Sequence, residues 1–133
     1  MTRREDWPLQ LERAIEAARS RPFEWGVHDC ATFACNVVLA MTGCDPMGGH
    51  RGAYRSLLGA VRETRRFCGL INMATRAFGD PVRALEARRG DVVLLCRDNG
   101  PALGVCLDHR AAFVSMAGLV FPRLSDCEQA WHV

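Results

Sequence analysis

The stretch FEWGVHDCATFACNVVLAM, Phe23–Met41, contains the segment that decides the fold. Aromatic and polar residues and Gly26 come first, followed by Asp29, Cys30 and a long run of mostly apolar residues. A helix that is apolar on nearly every face has to be buried, so we expect this run to form the central helix of a small domain. Asp29 is a typical N-cap residue, which predicts that Cys30 lies in the first helical turn.

The predicted position of Cys30 favours a reactive thiol. The unpaired backbone N–H groups and the positive end of the helix dipole lower the pKa of a thiol at a helix N-terminus and stabilise the thiolate. The alternative is that Cys30 is a small buried hydrophobic residue, which is our interpretation of Cys35 and Cys44. We favour an ancestral nucleophile for Cys30, and its present reactivity is a separate question.

Length and composition indicate one soluble domain spanning residues 1–133, with ordinary proportions of hydrophobic and charged residues. The formal net charge of +2 is too small to predict nucleic-acid binding. Seven cysteines without a C-x-x-C pair indicate reduced thiols, with Cys35, Cys96 and Cys106 in the core. The first residues lack the apolar segment of a signal peptide, and no apolar run is long enough for membrane insertion. We therefore expect synthesis in a bacterial cytoplasm.

The order of periodicities predicts an α+β fold, with helices in residues 1–80 and an antiparallel sheet in residues 90–122. We expect helices from Trp7 to about Ser20–Pro22, from Cys30 to Gly43, over Tyr54–Ala60 and Val61–Phe67, and over Leu70–Phe78. A turn over residues 98–101 and a second one at Asp108 separate three of the predicted strands. The predicted strands are Val92–Cys96, Ala102–Leu107, Ala111–Ser115 and Gly118–Phe121, followed by a last helical turn at Asp126–Trp131.

Several short motifs carry a family resemblance. They are Trp25-Gly26, Asp29-Cys30 before the buried helix, Gly90-Asp91-Val92-Val93, Gly104-Val105-Cys106-Leu107 and Phe113-Val114. In this order and spacing, the sequence resembles the NlpC family of papain-like cell-wall peptidases. It looks closest to the short members encoded among phage tail genes. The resemblance implies that the cysteine-bearing helix packs on the C-terminal antiparallel meander.

The resemblance also implies a catalytic set of which this chain keeps one member. In the family, a thiolate attacks a peptide bond of the peptidoglycan stem, a histidine acts as base, and a third polar residue orients that base. The nucleophile corresponds to Cys30, the base position to Ala102 and the orienting position to Ser115. The Ser-Gly that follows the nucleophile in the family is replaced by Ala31-Thr32. Loss of a general base typically costs about 100- to 10,000-fold in rate.

Another histidine would have to replace the missing base. His28 lies two residues before Cys30, and in an extended segment both side chains could share a face. The simpler interpretation is that His28 braces the loop. His50 lies in a glycine-containing loop that could fold over the site, His109 is predicted at a solvated turn, and His132 is predicted at the neutral surface. A metal site formed by His28, Cys30 and another cysteine matches no standard spacing, so we expect neither a metal nor a cofactor.

Two functional hypotheses follow. The first is a structural or assembly component of a phage or phage-like tail, within the virion, on a degenerate NlpC-like scaffold without hydrolase activity. Its partners would be other phage tail proteins, with peptidoglycan as an alternative, and Trp7, Phe121 and Trp131 are candidate interface aromatics. The second is a cysteine endopeptidase or amidase acting on peptidoglycan stem peptides, with Cys30 as nucleophile and His28 or His50 as a displaced base.

Overall fold

The computed structural model describes residues 1–65, 69–98 and 100–133. Over these residues the chain is α+β, with four α-helices followed by six strands that form one antiparallel sheet. The helices are α1 (Trp7–Arg19), α2 (Cys30–Thr42), α3 (Leu57–Arg65) and α4 (Leu70–Phe78). The strands are β1 (Val82–Arg83), β2 (Val92–Arg97), β3 (Gly100–Cys106), β4 (Ala111–Ser115), β5 (Gly118–Val120) and β6 (Gln129–Trp131). The predicted α+β order is confirmed.

The sheet has the order β1-β6-β2-β3-β4-β5, and it extends on both sides of the predicted range of 90–122. The four predicted strands are present as β2 to β5, whereas β1 and β6 were not predicted. The predicted helical turn at Asp126–Trp131 is wrong: a single 3₁₀ turn, Leu124–Asp126, precedes β6. Residues 129–131 form a strand and not a helical turn because Trp131 is fully buried and the backbone of β6 pairs with both β1 and β2.

Instead of two helices over Tyr54–Ala60 and Val61–Phe67, the described part of the chain has one, α3, which begins at Leu57, so residues 54–56 are not helical. The predicted end at Phe67, the break at Cys68 and the turn residue Asn99 lie outside the described residues.

The main core lies between the helices and one face of the sheet, and α2 is at its centre. The side chains of α2 that enter it are those of Phe33, Ala34, Val37, Val38 and Met41. They pack against α1 and against the inward residues of the central strands, as the apolar run of α2 predicts. Alternate residues of the strands form a second, smaller cluster on the other face, around Val93, Leu95 and Phe113.

Six cysteines are described, and all six are free thiols. Cys35 and Cys106 are buried, as predicted. Cys44 and Cys96 are exposed, contrary to the prediction, because Cys44 follows the end of α2 and Cys96 lies near the exposed end of β2. Within the described ranges, no helix combines the length and the apolar character needed to cross a bilayer.

Candidate functional site

Cys30 is the first residue of α2, and Asp29 is its N-cap, as predicted. The Asp29 carboxylate accepts the backbone N–H of Thr32 at 2.9 Å, and the Thr32 hydroxyl accepts the backbone N–H of Asp29 at 2.7 Å. This reciprocal pair satisfies two N–H groups that a helix start leaves without partners. The cap therefore fixes both the position where α2 begins and the direction in which Cys30 points.

The carboxylate of Asp29 also joins α2 to two other segments of the chain. Its second oxygen accepts the backbone N–H of Gly26 at 2.8 Å and the hydroxyl of Tyr54 at 2.7 Å. Asp29 is buried, so these bonds compensate for the loss of water around a charged group. Tyr54, which is 25 residues away in sequence, is thereby fixed beside the start of α2.

Gly26 is required by the same arrangement. Its φ of +80° lies in the left-handed region, and a Cβ at this position would lie 2.0 Å from the carbonyl oxygen of Tyr54. The Trp25-Gly26 pair, which belongs to the family resemblance, thus has a local reason in this chain. Gly26 lets the Tyr54 segment pass directly over the turn that leads into α2.

The thiol of Cys30 differs from the sequence-based expectation. Burial raises the pKa of the Cys30 thiol above its ordinary value, and the neighbouring Asp29 carboxylate raises it further. The backbone amides of Leu103, Ala31 and Cys30 itself act in the opposite direction without reversing the shift. The helix N-terminus is present, but the cost of placing a negative charge in a desolvated position next to a carboxylate is larger. The thiol is therefore mainly protonated at neutral pH.

Cys30 faces β3, as the resemblance leads one to expect. The Leu103 amide that acts on the thiol comes directly after Ala102, the position predicted for the base, whose side chain packs with the cluster on the other face of the sheet. Ser115, at the orienting position, accepts the backbone N–H of Ala117 at 3.2 Å and donates its hydroxyl to the carbonyl of Gly118 at 2.7 Å. Ser115 therefore closes the turn between β4 and β5.

His28 contacts α1 and Phe33. It is 3% exposed, its ring lies edge-on to Phe33 at a centroid distance of 6.3 Å, and a hydrogen bond with the backbone of Ala18 in α1 favours the charged form of the ring. Burial lowers the pKa of the His28 imidazole, and the Arg21 guanidinium contributes in the same direction. Its Nδ1 is buried and has no hydrogen-bond partner among the described residues. These contacts match a bracing role in which the ring is neutral.

The other three histidines also pair away from Cys30. His50 Nδ1 lies 2.8 Å from a carboxylate oxygen of Glu63, and His109 lies at the exposed turn after β3. His132 lies at the surface, as predicted, and its Nδ1 is also 2.8 Å from Oδ2 of the buried Asp91, so it is a structural partner of Asp91. Within the described residues, Cys30 makes no hydrogen bond with a histidine.

The described ranges contain no group of three or more His, Cys, Asp or Glu side chains arranged to hold a metal ion. His28 and Cys30, the two residues considered for such a site, therefore have no third ligand of these types in the described part of the chain.

Two contributors to the site were missed in the sequence. The role of Thr32 was not predicted, although Asp29-x-x-Thr32 has the spacing of a capping box. Tyr54 was missed because its contact with Asp29 is long-range, and the only signal was that it is the single tyrosine of the chain.

A first prediction concerns the reactivity of Cys30. Because its pKa is raised and it is partly buried, we expect iodoacetamide to alkylate Cys30 at least about ten times more slowly than the exposed Cys44 at pH 7.5. Peptide mapping by mass spectrometry after timed alkylation measures both rates in the same molecule. The rate at Cys30 should increase with pH to a midpoint above that of an ordinary thiol. A Cys30 that reacts faster than Cys44 at neutral pH would contradict the assignment of a protonated thiol.

Comparison with known proteins gives one family. No curated protein matches the sequence. A family model described as a domain of unknown function (DUF6950) matches residues 2–133, which is nearly the whole chain. The chain therefore belongs to the DUF6950 family.

Proposed function

We propose that this protein is a structural or assembly component of a phage or phage-like tail, built on an NlpC-like scaffold that has lost peptide hydrolysis. The observation that carries the proposal is the state of Cys30. The residue occupies a nucleophile's position at the start of the central helix, yet its thiol is protonated and has an alanine where the family has a base.

The arrangement of α2 and the sheet supports an NlpC-like scaffold. The start of α2 faces β3, and β3 pairs with β4 through Val105 with Ala112 and Cys106 with Ala111. Extending this register along both strands brings Ala102 level with Ser115. The two positions that would carry the base and its orienting residue are thus on neighbouring strands, but the side chain of Ala102 packs with the smaller cluster on the sheet face opposite α2.

The side chains at these positions do not support the chemistry. Hydrolysis needs a base that takes the thiol proton and later returns it to the leaving amine. Ala102 has no titratable group, and the Ser115 hydroxyl is held in the turn after β4. The raised pKa of Cys30 increases the demand on a base, because less thiolate is present before substrate binds.

A displaced histidine is the remaining route to activity. The ring of His28 is enclosed between α1 and Phe33, and His50 is hydrogen-bonded to Glu63. To serve Cys30, either ring would have to leave its present contacts. The second hypothesis, a cysteine endopeptidase or amidase, therefore requires a rearrangement of the loop before α2 or of the loop that carries His50.

The assignment to a phage tail rests on the resemblance to short members encoded among tail genes. A well-packed scaffold without a functioning catalytic set is most simply maintained for binding, so the partners we propose are other tail proteins.

We expect no release of peptide fragments when the purified protein is incubated with peptidoglycan or its stem peptides. The reason is the absence of a base at position 102, and the readout is chromatography with mass spectrometry against a peptidoglycan hydrolase of known activity. If the wild-type protein releases fragments and Cys30→Ser stops the release, the proposal is wrong. His28→Ala and His50→Ala would then identify the base.

The assembly half of the proposal has its own test. Cys30→Ser should leave particle assembly and infectivity unchanged, because the thiol takes no part in either process. Phe33→Ala should abolish both assembly and infectivity. It leaves a cavity where the buried Phe33 side chain joins α2 to the core, and such a change typically lowers the free energy of unfolding by about 3–5 kcal/mol. Particles that assemble normally without the protein would contradict a role in the tail.

A further inference from the structure

Helix α3 packs with its polar side inward. Its one buried residue is Glu63, whereas Leu57, Leu58 and Val61 are 57%, 59% and 37% exposed. A surface helix of a soluble domain normally buries its apolar stripe and exposes its charged residues. The orientation of α3 is the reverse.

Contacts on the inner side of α3 hold it in this orientation. The Glu63 carboxylate is hydrogen-bonded to His50 at 2.8 Å. One turn earlier, Gly59 lies so close to Tyr54 that a Cβ on the glycine would be 3.1 Å from the Tyr54 Cβ. Turning the leucines inward would break the first contact and create a clash at the second. The apolar residues are therefore exposed by the structure of the domain.

The exposed apolar residues share one surface with arginines. At about 100° per residue, Leu57, Leu58, Val61, Arg62 and Arg65 fall within one arc of about 140° around α3. We call these five residues the α3 outer face. Arg62 and Arg65 are exposed, as is Arg55 just before the helix, and none of the three makes an ion pair within the described residues.

The sequence segment that contains α3 is strongly basic. Residues 51–79 contain six arginines and one acidic residue, Glu63, which gives the segment a formal charge of +5. The whole chain has a charge of +2, so the remaining residues together carry −3. Since Glu63 is buried, it does little to neutralise the arginines on the solvent side. Arg62 and Arg65, which make no ion pair within the described residues, lie beside these apolar side chains and select partners with negative charge.

We propose that the α3 outer face binds an amphipathic segment of another protein, with apolar side chains flanked by Asp and Glu. The leucines and Val61 supply the apolar contact, and Arg62 and Arg65 pair with the carboxylates on either side of it. A bilayer fits less well. Three partly exposed aliphatic side chains offer less apolar surface than one myristoyl chain, which alone holds a protein only marginally on a membrane. Single-stranded nucleic acid fits less well because stacking on bases needs aromatic rings.

Of the three aromatic residues predicted as interface candidates, Trp131 is excluded by its burial. Trp131 is fully buried, and its indole N–H donates to Thr75. Trp7 and Phe121 are partly buried beneath the guanidinium groups of Arg3 and Arg19. The inference about α3 depends neither on the tail assignment nor on the loss of hydrolysis, because it is drawn from residues other than Cys30 and its neighbours.

The test is a selection of random 20-residue peptides displayed on yeast against the full-length protein. We expect enriched peptides to carry Asp or Glu beside Leu, Ile or Phe at helical spacing. Leu57→Ser/Leu58→Ser and Arg62→Glu/Arg65→Glu should each weaken binding of the enriched peptides at least tenfold, measured by fluorescence anisotropy. The matched control is Arg83→Glu/Leu85→Ser, which changes an exposed arginine and an exposed leucine elsewhere and should change affinity less than twofold.

Several outcomes would overturn the proposal. They are enrichment of basic or neutral peptides, no enrichment, or peptides that both α3 variants still bind. Binding to phosphatidylglycerol vesicles that the α3 variants abolish, without peptide binding, would assign the surface to a membrane. Sedimentation showing that the protein self-associates through the same residues would make a second copy the occupant. Circular dichroism of each variant establishes that it is folded before binding is compared.

Discussion

Asp91→Ala is expected to lower the free energy of unfolding by about 3 kcal/mol, within the range for removing one partner of a buried ion pair. Asp91 is 1% exposed, and one carboxylate oxygen accepts Arg3 at 2.9 Å and the backbone N–H of Val133 at 3.0 Å. The other oxygen accepts the backbone N–H of Arg88 at 2.8 Å and lies 2.8 Å from Nδ1 of His132. Alanine would leave several of these groups without partners in a desolvated position.

Urea denaturation followed by circular dichroism measures this loss. Asp108→Ala is the control, because the Asp108 side chain is largely exposed and its removal should change stability by less than about 0.5 kcal/mol. Asp91→Asn should fall between the two, since the amide oxygen can still accept but the charge is lost. Equal stability of Asp91→Ala and Asp108→Ala would show that the carboxylate does not hold these segments.

The second large effect is expected from Gly26→Ala, which should cost about 2–4 kcal/mol through left-handed backbone strain and overpacking together. The new methyl group would lie 2.0 Å from the Tyr54 carbonyl oxygen, so the Tyr54 segment has to move. This displacement also stretches the hydrogen bond from Tyr54 to Asp29.

Gly43→Ala separates the two contributions to this cost. Gly43 has a φ of +76°, close to that of Gly26, but a Cβ there would meet no atom within 4 Å. Its variant should therefore lose only the backbone contribution, about 1 kcal/mol. The two variants are compared by thermal unfolding under identical conditions. An equal loss of stability at both positions would mean that the Tyr54 segment can move away from the new methyl group without a free-energy penalty.

The parts of the fold that could be predicted are those specified by neighbouring residues. Asp29 and the apolar run that follows specify α2, its start and its burial, and short apolar runs separated by turns specify β2 to β5. β6 escaped prediction because a three-residue strand has almost no periodicity. Trp131 becomes part of a strand because its backbone pairs with β2 and its indole N–H donates to Thr75, and both partners are distant in sequence.

In the candidate site too, features specified by neighbouring residues could be predicted, whereas those that depend on distant residues could not. The helix N-terminus next to Cys30 could be predicted from Asp29, and it favours a thiolate. The opposing influence, burial beside the Asp29 carboxylate, depends on how the chain packs around the thiol. The contacts of Tyr54 with Asp29 and of His132 with Asp91 join residues 25 and 41 positions apart, and no local pattern encodes them.

The position of β6 has a consequence for the order of folding. β6 follows every other described strand in the chain, yet it pairs between β1 and β2 inside the sheet. On the ribosome, β2 and β3 can join as a hairpin early, but the other edge of β2 stays open until residue 131 has been made. An open edge can pair with another chain. The nascent chain thus passes through a stage vulnerable to aggregation, which ends when Trp131 enters the core and the last strand closes the gap.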